Sequence, residues 1–240
     1  MKHVLITGVT RGVGEAIART MSVEEWQITG VYRRRHDRAK ELEKELGRGI
    51  STVACDLADG ASVDELSRQW EGEFDGVVLN AGVTHRASFV EDSVDDVDPL
   101  VAQLELDLLA PLRLLRTLLR SRQVADGASV VFIGSNLARR GLAGKVVYAA
   151  AKAGLEGACR GLARELGPAG IRVNCVSPGL LATDMTADLG SAGYESYAKE
   201  VPLGRVGEAR DVAGVVRFLL GDDAQYVSGQ VIYVDGGWSA

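Results

Sequence analysis

The sequence is poor in the residues that staple, ligate or anchor a protein. Three cysteines, Cys55, Cys159 and Cys175, lie far apart inside apolar runs. An odd count at wide spacing gives neither a disulfide framework nor a CxxC metal pair. A reducing, cytoplasmic setting and no metal site are the expectation. Proline is scarce, with 5 residues, and no Ser/Gly-rich linker or internal repeat divides the chain. No stretch reaches the roughly 18 uninterrupted apolar residues of a membrane span, and residues 1–8 open a strand-like run with no leader pattern. A soluble protein with no membrane partner is expected. Excess positive charge is missing as well: 27 basic against 33 acidic residues give a net charge of −6. That balance argues against a nucleic-acid partner.

Present in quantity are apolar residues, at 46% of the chain, and glycine, at 29 of 240. The first is enough for a sizeable core, which excludes intrinsic disorder. The second is well above the usual share of roughly 7% and points to places where backbone must approach closely. The length suits one α/β domain, 1–240, without an internal boundary.

Short β-branched runs alternate with longer helical patterns, the signature of a parallel sheet covered on both faces. The expected strands are His3–Thr7, Gln27–Tyr32, Ser51–Ala54, Gly76–Leu79, Ser129–Ile133, Arg172–Val176 and Gln230–Val234. Helical patterns occupy Gly14–Ser22, Arg38–Leu46, Ser62–Trp70, Leu100–Arg120, Val147–Leu166 and Ala209–Leu220. In the fourth of these, leucines run most of the way round the helix, so a face beyond the one on the sheet needs cover, and a partner subunit is the simplest. The helix after Tyr148 is rich in Ala149, Ala150, Ala151, Ala153, Gly154, Gly157, Ala158 and Gly161; close contact with a neighbour and tight packing on its own sheet both fit.

Between the first strand and first helix lies Thr7-Gly8-Val9-Thr10-Arg11-Gly12-Val13-Gly14. Glycines there remove the Cβ atoms that would block a pyrophosphate, and the helix start offers free N–H groups and the positive end of its dipole. Gly14-Glu15 excludes a P-loop, which needs Gly-Lys-Ser/Thr. The second strand ends at Tyr32-Arg33-Arg34-Arg35. NAD-binding folds usually place an acidic residue there for the ribose 2′-hydroxyl, whereas arginine accommodates a 2′-phosphate. Arg33 and Arg34, with Arg11 closing from the glycine turn, favour NADP(H).

Gly134-Ser135 ends the fifth strand, and Tyr148-Ala149-Ala150-Ala151-Lys152 opens the next helix with Tyr148 and Lys152 four residues apart on one face. Free tyrosine ionises near pH 10, too high for ready proton exchange near neutrality, and a neighbouring ammonium favours its phenolate. Together with the glycine turn, Asn80-Ala81-Gly82, Pro178-Gly179 and the closing Val234-Asp235-Gly236-Gly237, the chain resembles the short-chain dehydrogenase/reductase family over its whole length. It is similar to NADP-dependent 3-oxoacyl-[acyl-carrier-protein] reductases. The resemblance implies a Rossmann-type, doubly wound α/β domain with a seven-stranded parallel sheet. It also implies reduction of a carbonyl by hydride from nicotinamide, with Tyr148 as proton donor, Ser135 holding the carbonyl oxygen and Lys152 binding the nicotinamide ribose as well. By the same resemblance Asp56-Leu57 sits at the adenine, Asn80-Ala81-Gly82 lies against the cofactor, and Pro178, Gly179, Leu181 and Thr183 form the nicotinamide wall. Residues 184–205, with Tyr194 and Tyr197, correspond to a mobile substrate lid, and relatives commonly assemble as homotetramers.

The chain departs from the family pattern at Asp107 and, separately, at Asp126 and Ala169. Asp107 stands where a catalytic asparagine often positions a water beside the lysine; a carboxylate accepts hydrogen bonds but cannot donate, and its charge opposes the phenolate. Asp126 and Ala169 stand where carrier-protein reductases tend to be basic, which counts against docking of an acidic carrier. Arg139 and Arg140, after Ser135, suit either a substrate anion or a solvated loop. The leading expectation is NADPH-dependent reduction of a small-molecule or thioester carbonyl. The alternatives are a dehydrogenase of a small cyclic, sugar-like or hydroxy-acid alcohol, and a catalytically weak cofactor-binding partner subunit.

Overall fold

Seven apolar runs form the strands of one sheet in the computed structural model, which describes residues 1–84, Phe89 and 99–240. They are β1 His3–Thr7, β2 Gln27–Tyr32, β3 Ile50–Ala54, β4 Phe74–Leu79, β5 Val124–Ile133, β6 Arg172–Pro178 and β7 Val231–Val234. The order is β3-β2-β1-β4-β5-β6-β7, and every pairing is parallel. All seven expected strands are present, with β3, β4, β5 and β6 longer than the apolar patterns suggested and β7 one residue shorter. Phe74 pairs with Val124, and the register shifts between Phe74 and Gly76 before the ladder resumes at Ser129.

The helices are α1 Gly12–Val23, α2 His36–Leu46, α3 Gly60–Arg68, α4 Pro99–Leu104, α5 Ala110–Arg120, α6 Leu137–Arg140, α7 Val146–Leu166, α8 Gly190–Glu200 and α9 Ala209–Leu220. Alternate residues of each strand feed two cores, because successive side chains point to opposite faces. Leu5 joins Val63, Leu66, Leu114, Leu118 and Leu155 under α3, α5 and α7. Val4 and Ile6 join Ile17, Met21, Leu42, Val216 and Leu219 under α1, α2 and α9. Burying each such side chain contributes about 1.5–3 kcal/mol. Among the described residues, no helix is long and apolar enough to cross a membrane.

The expected helix 100–120 is helical throughout but not α-helical throughout. A π-helical turn, Glu105–Leu109, separates α4 from α5 and puts the buried Asp107 at its centre. Such turns insert a residue into the helix and recur at functional sites. The leucine ring also has more cover within the chain than its pattern suggested. Leu106, Leu108 and Leu112 pack against the core, and a Cβ on Gly154 of α7 would come within 2.9 Å of Leu108. Val101 and Leu109 stay exposed.

Candidate active site

Strand order reverses at β1, which lies between β2 and β4, and in open α/β sheets the crevice at such a point receives the ligand. Gly8 and Gly12 take positive φ values of +72° and +54° there, a region that favours glycine. A Cβ on Gly14 would lie 2.3 Å from the Gly8 carbonyl oxygen, so this close approach of helix to turn excludes every other residue. Thr7 and Asn80 lock the crevice floor, a role for Thr7 that the sequence did not suggest. The Thr7 hydroxyl accepts the backbone N–H groups of Asn80 and Ala81, both at 2.9 Å, while the Asn80 amide donates to the Thr7 carbonyl at 2.8 Å. α1 begins at Gly12, with Arg11 as its extended cap residue and Thr10 buried beside it. The cradle thus has the glycine clearance, the free helix N–H groups and the dipole that a dinucleotide pyrophosphate requires. Val13 turns partly toward the core under α1. Gly82 has no room for a side chain either, since a Cβ there would lie 2.5 Å from Asp107 Oδ1.

The arginines after β2 divide into paired and unpaired. Arg33 Nε lies 3.0 Å from Asp56 Oδ2, so the two residues expected at the 2′-phosphate and the adenine are joined, and Asp56 also accepts the Ala58 N–H at 3.1 Å. Leu57 is buried in the core and can offer a ligand little beyond its backbone. Arg35 pairs with Asp184 at 3.0 Å, and Arg38 with Glu15, Glu41 and Glu45. Arg11 and Arg34 have no ion pair among the described residues, which leaves two guanidiniums beside the cradle for an anion.

At the far end of the crevice, β5 ends in Gly134-Ser135. Backbone bonds from Gly134 N–H to Val176 O and from Asn136 N–H to Pro178 O, both 2.8 Å, fasten this turn to β6. Ser135 is buried, and its Oγ accepts the Leu137 N–H at 3.2 Å, which leaves the hydroxyl hydrogen to donate. α7 carries Tyr148 in its first turn and Lys152 one turn on. The buried Lys152 ammonium donates to Ile133 O at 3.1 Å, two residues before Ser135, and sits 5.7 Å from the centre of the Tyr148 ring. Asp107 Oδ1 lies 3.7 Å from that ammonium, so the carboxylate meets the lysine directly, where the family pattern implied a water between them. Asp107 also accepts the Val83 N–H at 3.1 Å. Gln103, unnoticed in the sequence, is buried one turn earlier, donating to Asp107 and, at 2.9 Å, to the Val83 carbonyl. Its only sequence signal was an amide four residues before Asp107.

Glycine cradle, arginine cluster and Ser-Tyr-Lys group therefore line one crevice. A model of the family described as Enoyl-(Acyl carrier protein) reductase matches residues 8–239. The 3-oxoacyl-[acyl-carrier-protein] reductase FabG of Salmonella typhimurium is 35% identical over 239 residues, 98% of this chain and 96% of that protein. The chain belongs to the short-chain dehydrogenase/reductase family. Two solved structures share the fold over the whole chain and 98% of theirs. One is a blue fluorescent protein from a metagenomic library in complex with NADPH, with TM-score 0.90 and 37% identity. The other is a short chain dehydrogenase from Burkholderia cenocepacia in complex with NADP, with TM-score 0.91 and 33% identity.

In this dehydrogenase/reductase, Pro178 ends β6 and the chain runs on through Gly179 and Leu181 to Thr183. Thr183 stands 3.8 Å from where a Cβ on Gly12 would be, across the crevice. Leu181 is buried and bridges Gly207 through its backbone. The stretch 184–205 contains the regular helix α8, and its Tyr197 is tied down: the phenol oxygen accepts the Leu180 N–H at 3.1 Å, and the ring stacks on Trp238 at 5.5 Å. Burial pushes the Tyr197 phenol above its ordinary ionisation range. Tyr194 reaches the Thr186 hydroxyl at 2.9 Å. Arg140 lies over the other ring system of this stack, 4.3 Å from Trp238, and donates to the Trp238 carbonyl at 2.7 Å, while Arg139 lies over Tyr233. These two arginines are thus engaged with aromatic rings at the C-terminal segment. The three cysteines are buried thiols that burial pushes up to about 11 for Cys55 and Cys175 and about 12 for Cys159, so none is a nucleophile.

Proposed function

We propose that this protein reduces a ketone to a secondary alcohol with NADPH, and that a 3-oxoacyl thioester is its best substrate class. The observation that carries the reading is the Lys152 ammonium, bonded to Ile133 O at the strand end that bears Ser135 and 5.7 Å from the Tyr148 ring. NADP(H) is supported by the glycine clearance at Gly14, by Arg11 and Arg34, which have no ion pair among the described residues, and by the NADPH and NADP complexes of the two structural relatives. Gly8, Gly12, Gly14 and the start of α1 would hold its pyrophosphate; Arg11, Arg33 and Arg34 its 2′-phosphate; Asp56, Asn80, Ala81 and Gly82 its adenosine side; and Pro178, Gly179, Leu181 and Thr183 its nicotinamide. When bound, it supplies the hydride.

The chain's own residues supply the rest. The Ser135 hydroxyl, with one lone pair held by Leu137 N–H, donates to the carbonyl oxygen and orients it. The Tyr148 hydroxyl hands its proton to that oxygen as negative charge develops. Lys152 stabilises the phenolate left behind until a proton from solvent restores the phenol, and the Asp107 carboxylate balances the lysine's charge throughout. The thioester class rests on the likeness to the 3-oxoacyl-[acyl-carrier-protein] reductase, over nearly the full length of both chains. With Asp126 inside β5 and Ala169 in the turn before β6, free thioesters should serve as well as carrier-bound ones. Exposed Val101 and Leu109 beside the exposed small residues Ala150, Ala153 and Gly157 of α7 favour a homotetramer, or at least a dimer. A panel of ketones and 3-oxoacyl thioesters assayed with NADPH and NADH tests the reading. NADPH consumption with the thioesters supports it, and no consumption with any carbonyl refutes it.

A further inference from the structure

Below Lys152 on the same face of α7 lies a second buried charge. Tyr148, Lys152 and Glu156 are spaced four residues apart, so they stack one above another along the helix. Glu156 is 6% exposed. Its carboxylate accepts the Ser177 hydroxyl of β6 at 3.0 Å and, through its two oxygens, the Tyr233 hydroxyl of β7 at 3.1 and 3.2 Å. Arg160 stands 3.7 Å away at the solvent edge. The proton acceptor in this group is the carboxylate, because the neighbouring Tyr233 phenol is pushed above its ordinary range, chiefly by burial and then by the charge of Glu156.

Two features make this contact matter to the site. First, α7 meets the sheet through Ala151, Leu155 and Cys159, apolar contacts without directional preference, along a helix rich in alanine and glycine. Among the described residues, its polar bonds to the sheet come from Lys152, Glu156 and the weak thiol donor Cys159. Second, the Ser177 hydroxyl lies under the residue before Ser135. A Cβ on Gly134 would come within 2.5 Å of Ser177 Oγ, so the serine turn rests on the atom that Glu156 holds.

We propose that Glu156 is a positioning residue: by holding Ser177 and Tyr233 it sets the rotation and axial register of α7, and so the placement of Tyr148 and Lys152 against Ser135. This rests on the reductase reading above. Misplacing reacting groups by about 1 Å can cost on the order of 100-fold in rate. Glu156→Leu removes both acceptors, whereas Glu156→Gln keeps the shape and an acceptor oxygen while removing the charge. In the full-length protein, with the ketone or thioester that the wild type reduces, Glu156→Leu should lower kcat about tenfold to a hundredfold. The dissociation constant for NADPH, read by its fluorescence, should change by less than about threefold, since the pyrophosphate cradle is at the other end of the crevice. Glu156→Gln should recover most of kcat. Ser177→Ala, which takes one donor and leaves Tyr233 in place, should fall between them and serves if the leucine variant does not fold. Wild-type kcat in Glu156→Leu or, failing that, in Ser177→Ala would overturn the proposal. So would a glutamine variant as slow as the leucine one, because then charge and not placement is at work. Should the wild type reduce no carbonyl, the reductase reading fails separately. The ultraviolet titration of Tyr148, taken as the difference from the Tyr148→Phe protein, then decides: a curve displaced by Glu156→Leu and restored by Glu156→Gln supports the proposal, and superimposable curves overturn it.

Discussion

Replacing Asp107 by asparagine probes the ion pair that sets this chain apart from the pattern of its family. With Oδ1 and Nζ 3.7 Å apart, the gross attraction at an effective dielectric constant of about 20 is roughly 4.5 kcal/mol. Both side chains are almost wholly buried, and the cost of removing two charges from water offsets much of that. The pair's effect on Tyr148 is clearer in sign than its effect on stability. Reduction requires the protonated phenol. The lysine charge beside the ring favours the phenolate, and the Asp107 charge opposes it. Asp107→Asn removes the opposing charge while keeping an acceptor for Val83 N–H. The alkaline limb of kcat/KM for reduction should move to lower pH. In the oxidative direction, where the phenolate is the base, the acidic limb should move down with it. Rate profiles from pH 6 to 10 on both proteins measure the shift. Superimposable profiles would refute the reasoning and leave Asp107 with a structural role. Asp107→Ala is expected to be worse in a different way: it leaves the buried ammonium with Ile133 O alone among these partners, at a cost of about 3–5 kcal/mol in unfolding free energy.

Further expectations concern separate parts of the site. Tyr148→Phe should lose about 10² to 10⁴-fold in turnover while NADPH binding survives, since the ring stays and only the proton donor goes; unchanged rates would point to another acid. Arg33→Ala with Arg34→Ala should weaken NADPH far more than NADH, by tenfold or more, and equal losses measured by titration would remove the 2′-phosphate assignment. Gly14→Ala forces a methyl group to within 2.3 Å of Gly8 O, so cofactor affinity should fall at least about tenfold, or 1.4 kcal/mol; wild-type affinity would show that the turn can yield. A thiol reagent at pH 8 should label no cysteine in the native protein and all three after denaturation, because burial raises each thiol well above that pH.

The sequence by itself determined the parts that depend on local pattern. Strands such as His3–Thr7 were legible because both faces are buried, so the run is apolar throughout, and the chain connections of a parallel sheet leave few topologies. The glycine turn was legible because the positive φ of Gly8 and Gly12 favours glycine and the contact at Gly14 leaves no room for a Cβ. Tyr148 and Lys152 were legible because helical spacing alone places them on one face. Tertiary structure decided whatever depends on which distant groups meet. That Arg33 is bound to Asp56 while Arg34 has no ion pair among the described residues, and that Arg140 lies on Trp238, could not be read from three arginines in a row or two in a loop, since neighbours in sequence point in different directions. The π turn at Glu105–Leu109 has no signature in a leucine-rich helix, yet it lies where Asp107 meets Lys152. Gln103 and Glu156 passed unnoticed for the same reason: a buried amide or carboxylate differs from a solvated one only in the partners that the fold brings to it, here Val83, Ser177 and Tyr233 from other segments of the chain.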